Sequence, residues 1–274
     1  MAVASLPMYD LPDIREATDA WWSGLAGHIR NAGVDEVPAR LNRAETAQDT
    51  WRDPALLFSQ TCGYPLTHEF QDTLCLVATP AYRAPGCSGA DYCSYLVVRD
   101  NAAAGSIADL YGSAAAVNAV DSQSGCNALF AAAAPYAQGG AFFSRIALSG
   151  AHADSIAMVR DGGADVAAID AVTLALIERY RPAALRGIRR LAETPAAPGL
   201  PYVTRGDADG GLVDALWRGL QAALADPLLA DARDALLIAG AERLAITAYD
   251  RILAMEKIAG AAGLSAMARQ HREK

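Results

Sequence analysis

Short apolar runs alternate with amphipathic segments along most of this chain. An unbroken apolar run such as 74–79 or 166–169 is typical of a strand buried on both faces. Apolar residues that recur at helical spacing, as Leu212, Leu216 and Leu220 do, indicate a helix with one packed face. The pattern predicts strands at 3–8, 37–41, 56–59, 74–79, 95–98, 114–120, 142–148, 166–169, 185–191 and 202–204. It predicts helices at 10–31, from 126 onward, at 156–162, at 171–180, and through the remainder of the chain from 211.

Strands that alternate with helices predict an α/β fold with mostly parallel sheets flanked by helices. In such sheets ligands bind just beyond the carboxyl ends of the strands. Polar clusters follow several of the predicted strands, namely Tyr9–Asp10, Ser59–Tyr64, Ser122–Ser124, Ser149–Ser155 and Asp170. Helix caps alone do not require so many clusters, so we expect a binding site at this edge.

The segment Asp121–Gly125 lies between the strand 114–120 and the helix that begins near Cys126. The first N–H groups of a helix have no partner inside the helix, and the helix dipole adds partial positive charge there. The hydroxyls of Ser122 and Ser124 supply further donors, so the turn suits a phosphate-like anion. In the alternative interpretation one of these serines only caps the helix.

A second polar helix start follows at Ser149–His152, with Ser155 one turn further along. Two helix N-termini could converge on one anion, although the helix dipole disfavours a protonated His152. Alternatively, His152 is a surface or capping residue. Asp170 either caps the helix after its strand or accepts a hydrogen bond from a protonated ligand oxygen or a ligand ammonium.

Few side chains suggest other chemistry. Tyr9, Tyr64 and Tyr92 either line a cleft or belong to the core. The five cysteines form no CxxC pair and the histidines are scattered, so no metal site is expected. Cys87 and Cys93 flank a short loop and could pair in an oxidising compartment, but free thiols are expected. The sequence lacks the GxSxG, Walker A, GxGxxG and HExxH motifs, and no cofactor or catalytic residue is expected.

The composition fits a globular protein. Hydrophobic residues make up 53% of the 274 positions and charged residues 20%, enough for one large domain or two lobes. A net charge of −8 argues against nucleic acid or an anionic membrane surface as a partner. Residues 1–7 have neither a basic segment nor a long apolar segment, so no signal peptide is predicted in this sequence.

Four motifs carry a resemblance to a known family: Asp109–Gly112, Asp121–Gly125, Ser149–His152 and Gly163–Asp170. In order and spacing they resemble the second lobe of the phosphonate-binding family of type II periplasmic binding proteins. These proteins are the solute receptors of ABC importers for phosphate, phosphite and phosphonate. Outside these motifs the resemblance extends more weakly over nearly the whole chain.

The resemblance implies two α/β lobes that clamp a ligand, joined by two crossing segments that act as a hinge. Lobe one would comprise 1–82 and 176–274, and lobe two 83–175. By motif position, the phosphonate oxygens would be bound by Ser122, Ser124 and His152, with Gln123 where a smaller hydroxyl residue is common. Tyr9 and the Thr61–Tyr64 loop would come from lobe one.

Together with the anion-binding turns, the resemblance implies a monomeric solute-binding protein for a small phosphorus oxyanion that feeds an ABC permease. The resemblance implies a periplasmic location, whereas the start of the sequence leaves a cytoplasmic one open. Two alternatives remain at this point. One is an enzyme on the same fold, similar to those of the menaquinone pathway, and the other is a ligand-sensing module that signals to a partner.

Overall fold

The computed structural model describes residues 1–264 and divides them into two compact units. Unit 1 comprises 1–83, 88–90 and 198–248, and unit 2 comprises 84–87, 91–197 and the described residues from 249. None of the helices within 1–264 combines the length and the hydropathy that crossing a bilayer requires.

Helices and strands alternate along the chain, as the α/β prediction expects. The strands are β1 Val3–Ala4, β2 Leu56–Gln60, β3 Leu74–Tyr82, β4 Cys87–Ser88, β5 Asp91–Tyr92, β6 Ser94–Arg99, β7 Ala114–Val117, β8 Arg145–Leu148, β9 Val166–Asp170, β10 Ile188–Glu193, β11 Ala197–Pro198, β12 Tyr202–Arg205 and β13 Ile238–Glu242. The α-helices are α1 Arg15–Asn31, α2 Ala47–Arg52, α3 Gly63–Thr67, α4 Ala128–Ala133, α5 His152–Arg160, α6 Ala171–Tyr180, α7 Gly210–Ala225, α8 Ala230–Ala235 and α9 Asp250–Ala261.

The sheet of unit 1 has the strand order β1-β2-β12-β3-β13. Strand β1 is parallel to β2, while β12 is antiparallel to both β2 and β3, and β13 is antiparallel to β3. The carboxyl ends of β1, β2 and β3 therefore lie at the same edge as the amino ends of β12 and β13. Helix α1 buries Trp21, Trp22, Leu25 and Ile29 on one face, at the spacing of an amphipathic helix.

The sheet of unit 2 has the order β10-β6-β9-β7-β8. Strands β8 and β9 are both parallel to β7, whereas β6 is antiparallel to β9 and β10 is antiparallel to β6. The turns that follow β7, β8 and β9 therefore share one edge, because parallel strands end on the same side. The core beside this sheet contains buried Leu96, Val117, Leu129, Phe130 and Phe142.

Several predicted elements need correction. Both sheets are mixed rather than mostly parallel, because only the strands joined through helical crossovers run in the same direction. Residues 37–41 form no strand. The region after 211 is not entirely helical, because β13 follows Leu237, whose φ of 58° breaks the helical path. The loop predicted at 60–65 contains the start of the short helix α3.

The bounds of the units also differ from the expected lobes. Residues 176–197 were expected in lobe one but lie in unit 2, because β10 pairs with β6. The described residues from 249 lie there too, since α9 packs on α4. A contact of this kind links distant segments and leaves no local signal in the sequence.

Candidate anion-binding site

The Ser122–Gly125 turn begins a π-helical turn, Gln123–Asn127, that leads into α4. The backbone oxygen of Ser122 accepts from the N–H groups of Cys126 at 3.3 Å and Asn127 at 3.0 Å. Its Oγ accepts from the N–H of Gly125 at 3.0 Å. Ser122 therefore serves as the N-cap of this turn, as the capping interpretation proposed for one of the serines.

The second helix start lies directly beside this turn. His152 is the first residue of α5, and its Nε2 lies 2.9 Å from Ser124 Oγ. The loops are tied together because Ser149 N–H donates to the Val117 oxygen at 2.9 Å and Gly150 N–H to the Asn118 oxygen at 3.1 Å. The parallel pairing of β7 with β8 thus brings the two predicted serine-rich turns together.

No side chain caps the start of α5. The first N–H groups of a helix lack intrahelical acceptors and carry partial positive charge, so this end of α5 favours an anionic or neutral acceptor. The Ser124 hydroxyl and the His152 ring lie at this end. The arrangement offers neutral donors from two consecutive βα turns.

Burial lowers the pKa of His152 to about 4, because the surrounding protein disfavours the charged ring. The carbonyl of Ala168 acts in the opposite direction, although Nδ1 does not reach hydrogen-bond geometry with it. The imidazole is therefore neutral near pH 7. A carbonyl beside Nδ1 favours the tautomer with its proton there, which leaves Nε2 to accept from the Ser124 hydroxyl.

Asn118 is a residue of this site that sequence reasoning missed. A Cβ placed on Gly125 would lie 1.8 Å from Asn118 Oδ1 and 3.1 Å from His152 Cε1. A larger residue at this position would therefore displace the Asn118 amide, the imidazole or the turn. The buried Oδ1 of Asn118 has no hydrogen-bond partner. A single asparagine after a strand carries no pattern by which to find it, but the glycine in the following turn does signal close packing.

Two predicted site residues have other contacts. The side chain of Gln123 is buried, where its Nε2 donates to Met255 Sδ at 3.1 Å and its Oε1 accepts from Asn127 at 2.7 Å. It anchors the turn to α9. Ser155 is also buried, and its Oγ lies 2.7 Å from Ser149 Oγ, so it supports the loop before α5.

Asp170 ends β9 and caps α6, because its Oδ1 accepts from the N–H of Thr173 at 2.7 Å. Strand β9 packs along the π-helical turn, which brings this carboxylate to the same sheet edge. Burial raises the pKa of Cys87 to about 12 and that of Cys93 to about 11, and the nearby Asp170 charge adds to both shifts. All five cysteines, which lie within the described residues, are free thiols. Tyr92, in β5, is buried.

The predicted residues of unit 1 fall into two groups. Tyr9 packs edge-to-face on Tyr82, with ring centroids 5.2 Å apart, and lines a pocket. Thr61 is buried and donates to the oxygen of Cys62 at 3.3 Å, while Tyr64 stacks on His68 with centroids 3.8 Å apart. Neither Thr61 nor Tyr64 lines the pocket that contains Tyr9.

Comparison with protein families gives a clear match. A family model described as the periplasmic substrate-binding protein of phosphonate ABC transporters matches residues 56–249. A search of curated proteins finds no match.

Several solved structures share the fold at low sequence identity. PhnD1 from Prochlorococcus marinus, in complex with methylphosphonate, superposes with a TM-score of 0.75 at 14% identity, over 94% of this chain and 97% of that chain. A binding component of an ABC phosphonate transporter from Pseudomonas aeruginosa gives 0.73 at 15% identity, over 99% and 95%. A Xanthomonas citri protein bound to ATP gives 0.69 at 16% identity, over 95% and 98%. This chain is thus similar to two-lobed type II periplasmic binding proteins.

Proposed function

Since the chain belongs to the family of periplasmic substrate-binding proteins of phosphonate ABC transporters, we propose that its unit 2 binds the oxyanion of a phosphonate, phosphate or phosphite. Proteins of this family are solute-binding components of importers and not enzymes. The binding residues are Ser122, Ser124 and His152, together with the first N–H groups of the π-helical turn and of α5. Asn118 and Ser155 position them.

The observation that carries this proposal is the 2.9 Å contact between Ser124 Oγ and His152 Nε2. It places the starts of two consecutive helical segments against each other, which a simple helix cap does not require. Hydrogen bonds to a charged group contribute roughly 1.5–3 kcal/mol each, so a few neutral donors suffice for micromolar affinity. Dipoles at helix N-termini stabilise the anion without a cationic side chain.

The Ser124 hydroxyl has to change partner when the anion binds. With His152 neutral, the hydroxyl proton is directed at Nε2 in the ligand-free site. An oxyanion would accept that proton instead, and the imidazole would then reorganise or take up a proton. The buried Asp170 carboxylate suits a ligand oxygen that still carries a proton, because it can accept from that oxygen.

Binding of four oxyanions tests the proposal directly: inorganic phosphate, phosphite, methylphosphonate and 2-aminoethylphosphonate. A ligand present at 100 times its Kd adds about 2.7 kcal/mol to the free energy of unfolding and raises Tm accordingly. Ser124→Ala should weaken binding by about tenfold, the effect of roughly 1.4 kcal/mol. Ser106→Ala is the matched control, because Ser106 donates to Asp109 in the same unit and outside this site.

Two results would count against the proposal. One is the absence of any Tm shift across the four anions, and the other is equal affinity for the wild type and the Ser124→Ala variant. Isothermal titration calorimetry supplies the affinities.

The partner and the compartment extend this proposal. Proteins of this family work with an ABC permease. We propose the same kind of partner, a periplasmic location and a monomeric state for this chain. Light scattering of the purified protein with and without phosphate tests the monomer. A sensing role would use the same oxyanion site. A histidine kinase sensor domain with similarity to periplasmic binding proteins shares the fold, with a TM-score of 0.56 at 17% identity over 87% of this chain and 97% of that chain. The two roles differ in the partner that the purified protein binds: a permease supports transport, and a kinase supports sensing.

A further inference from the structure

Two buried side-chain amides hold the inner face of the π-helical turn. Gln123 is 1% exposed and Asn127 is 5% exposed, and Asn127 Nδ2 donates to Gln123 Oε1 at 2.7 Å. Residues four apart lie on the same side of a helical turn, which is why these two amides can pair. The pair faces α9, because Asn127 Nδ2 also donates to the Ile252 oxygen at 3.0 Å and Gln123 Nε2 donates to Met255 Sδ at 3.1 Å. Both hydrogens of the Asn127 amide are therefore used.

The residues between the two amides face α5. Ser124 Oγ lies 2.9 Å from Nε2 of His152, and a Cβ on Gly125 would lie 3.1 Å from His152 Cε1. The turn is thus fastened to α9 by its first and last residues, while its middle residues approach α5. A change in the pitch of the turn would rotate Ser124 relative to His152.

The turn lies close to the boundary between α-helical and π-helical geometry. The Ser122 oxygen accepts from the N–H of Cys126 at 3.3 Å, as in an α-helix, and from that of Asn127 at 3.0 Å, as in a π-helix. Because π-helical turns are rare, the α-helical form is the one expected without other contacts. Buried amides cost free energy unless they are paired, so two of them in place of apolar side chains need a reason. Their bonds to α9 supply the contacts that favour the π-helical form.

We propose that Gln123 and Asn127 are positioning residues of the oxyanion site, which hold the turn in its π-helical form through α9 and so keep Ser124 beside His152. The inference rests on the proposed function, because the geometry that they maintain is that of the proposed site. It gives Gln123 an indirect role, in which its side chain acts on the turn instead of donating to the anion. In the alternative, the amides only stabilise the packing of α9, and an apolar pair of the same shape would serve equally well.

Two variants separate positioning from stability. Asn127→Leu removes the donor that Gln123 Oε1 accepts from, so the midpoint of urea denaturation should fall, and phosphate and methylphosphonate should each bind about tenfold more weakly. Gln123→Met combined with Asn127→Leu replaces both amides with apolar side chains of similar shape, so the midpoint should return towards that of the wild type. Affinity for both anions should stay about tenfold weaker in this double variant, because the turn is then free to become α-helical. Isothermal titration calorimetry measures the affinities.

Arg99→Met is the matched control for lost stability. Arg99 ends β6 and donates to the oxygens of Val159 and Ala164 and to Asp165, so its bonds lie at the opposite edge of the sheet from Ser124. This variant should lower the denaturation midpoint and leave both affinities unchanged. Adding Ser124→Ala to the double variant should weaken binding by much less than it does in the wild type, because both changes withdraw the same hydroxyl from the anion.

The side-chain ¹⁵N resonances of His152 give a measurement in the ligand-free protein. The Nε2 resonance should shift in the double variant and not in Arg99→Met, because only the former moves the Ser124 hydroxyl. Full recovery of affinity in the double variant, an unchanged His152 Nε2 resonance, or equal losses of affinity in Arg99→Met and Asn127→Leu would overturn the inference while the proposed function stands. If the wild type binds none of the four oxyanions, the proposed function fails and the inference fails with it.

Discussion

The two units carry different side chains at the same edge of their sheets. In unit 2 the turns after β7 and β8 present serine hydroxyls, a histidine and helix N-termini, which suit an anion. In unit 1 the pocket at the corresponding edge is lined by apolar and neutral polar side chains, among them Tyr9, Trp21 and Tyr202, and none of its lining residues is charged. The same sheet edge thus presents different chemical groups in the two units, because the side chains at the strand ends differ while the fold is similar.

The first prediction removes the packing that unit 2 needs. Gly125→Ala places a methyl group 1.8 Å from Asn118 Oδ1 and 3.1 Å from His152 Cε1, so the Asn118 side chain, the imidazole or the turn must shift. We expect oxyanion affinity to fall by about 100-fold or more, since separating the two helix starts removes several donors at once. Calorimetry with phosphate measures this.

The pocket of unit 1 supplies the control for that result. In the Gly125→Ala variant the indole ¹H–¹⁵N resonance of Trp21 should keep its wild-type chemical shift. That result would show that unit 1 is still folded. Oxyanion binding that survives the substitution would locate the anion site elsewhere in the protein.

Part of the difference between the two sheet edges could be predicted from the sequence. Short motifs after strands contain Ser122, Ser124 and His152. The position of such a motif can be predicted from the sequence, because the strand before it and the helix after it fix the turn. The structure puts Ser124 and His152 in contact, while their convergence on an anion stays a prediction. The family was also recognised from these motifs.

The rest of the fold and of the site depends on contacts between residues that lie far apart in the sequence. The side chain of Gln123 donates to Met255, which lies far along the chain, so no local pattern indicates this contact. The strand Ile238–Glu242 forms because β3 pairs with it, although its apolar residues fit a helix equally well. The pocket around Trp21 draws on five strands or their flanking residues and one helix, and none of these segments carries a signal on its own.

The second prediction concerns pH and isolates His152. Its folded pKa of about 4 lies below the unfolded value of 6.5, so the unfolded chain binds more protons between these values. Stability from the neutral, buried ring is complete above about pH 6.5 and is lost as pH falls toward 4. The loss is at most about 3 kcal/mol, because each pKa unit corresponds to 1.36 kcal/mol. Chemical denaturation of the ligand-free protein across this range measures it.

Two variants decide whether the pH effect belongs to this histidine. His152→Gln should remove the slope between pH 6.5 and 4. His28→Gln should keep the contribution of His152, because His28 lies in unit 1, where its 2.9 Å contact from Nε2 to Oδ2 lowers the pKa of Asp226. A slope of unchanged size in His152→Gln would assign the titration to other groups.

The smallest expected effect separates stability from binding. Gly219 of α7 lies against α1, and a Cβ there would be 2.8 Å from the Ile29 Cα and 2.9 Å from its backbone nitrogen. Gly219→Ala should therefore cost about 1–3 kcal/mol of unfolding free energy through overpacking in unit 1. Gly27→Ala, on α1, meets nothing within 4 Å and should instead stabilise by up to about 1 kcal/mol.

Neither change touches Ser124 or His152, so phosphate affinity should equal that of the wild type in both. If Gly219→Ala weakens phosphate binding as strongly as Gly125→Ala, affinity follows global stability, and the contrast between the two sheet edges loses its main support.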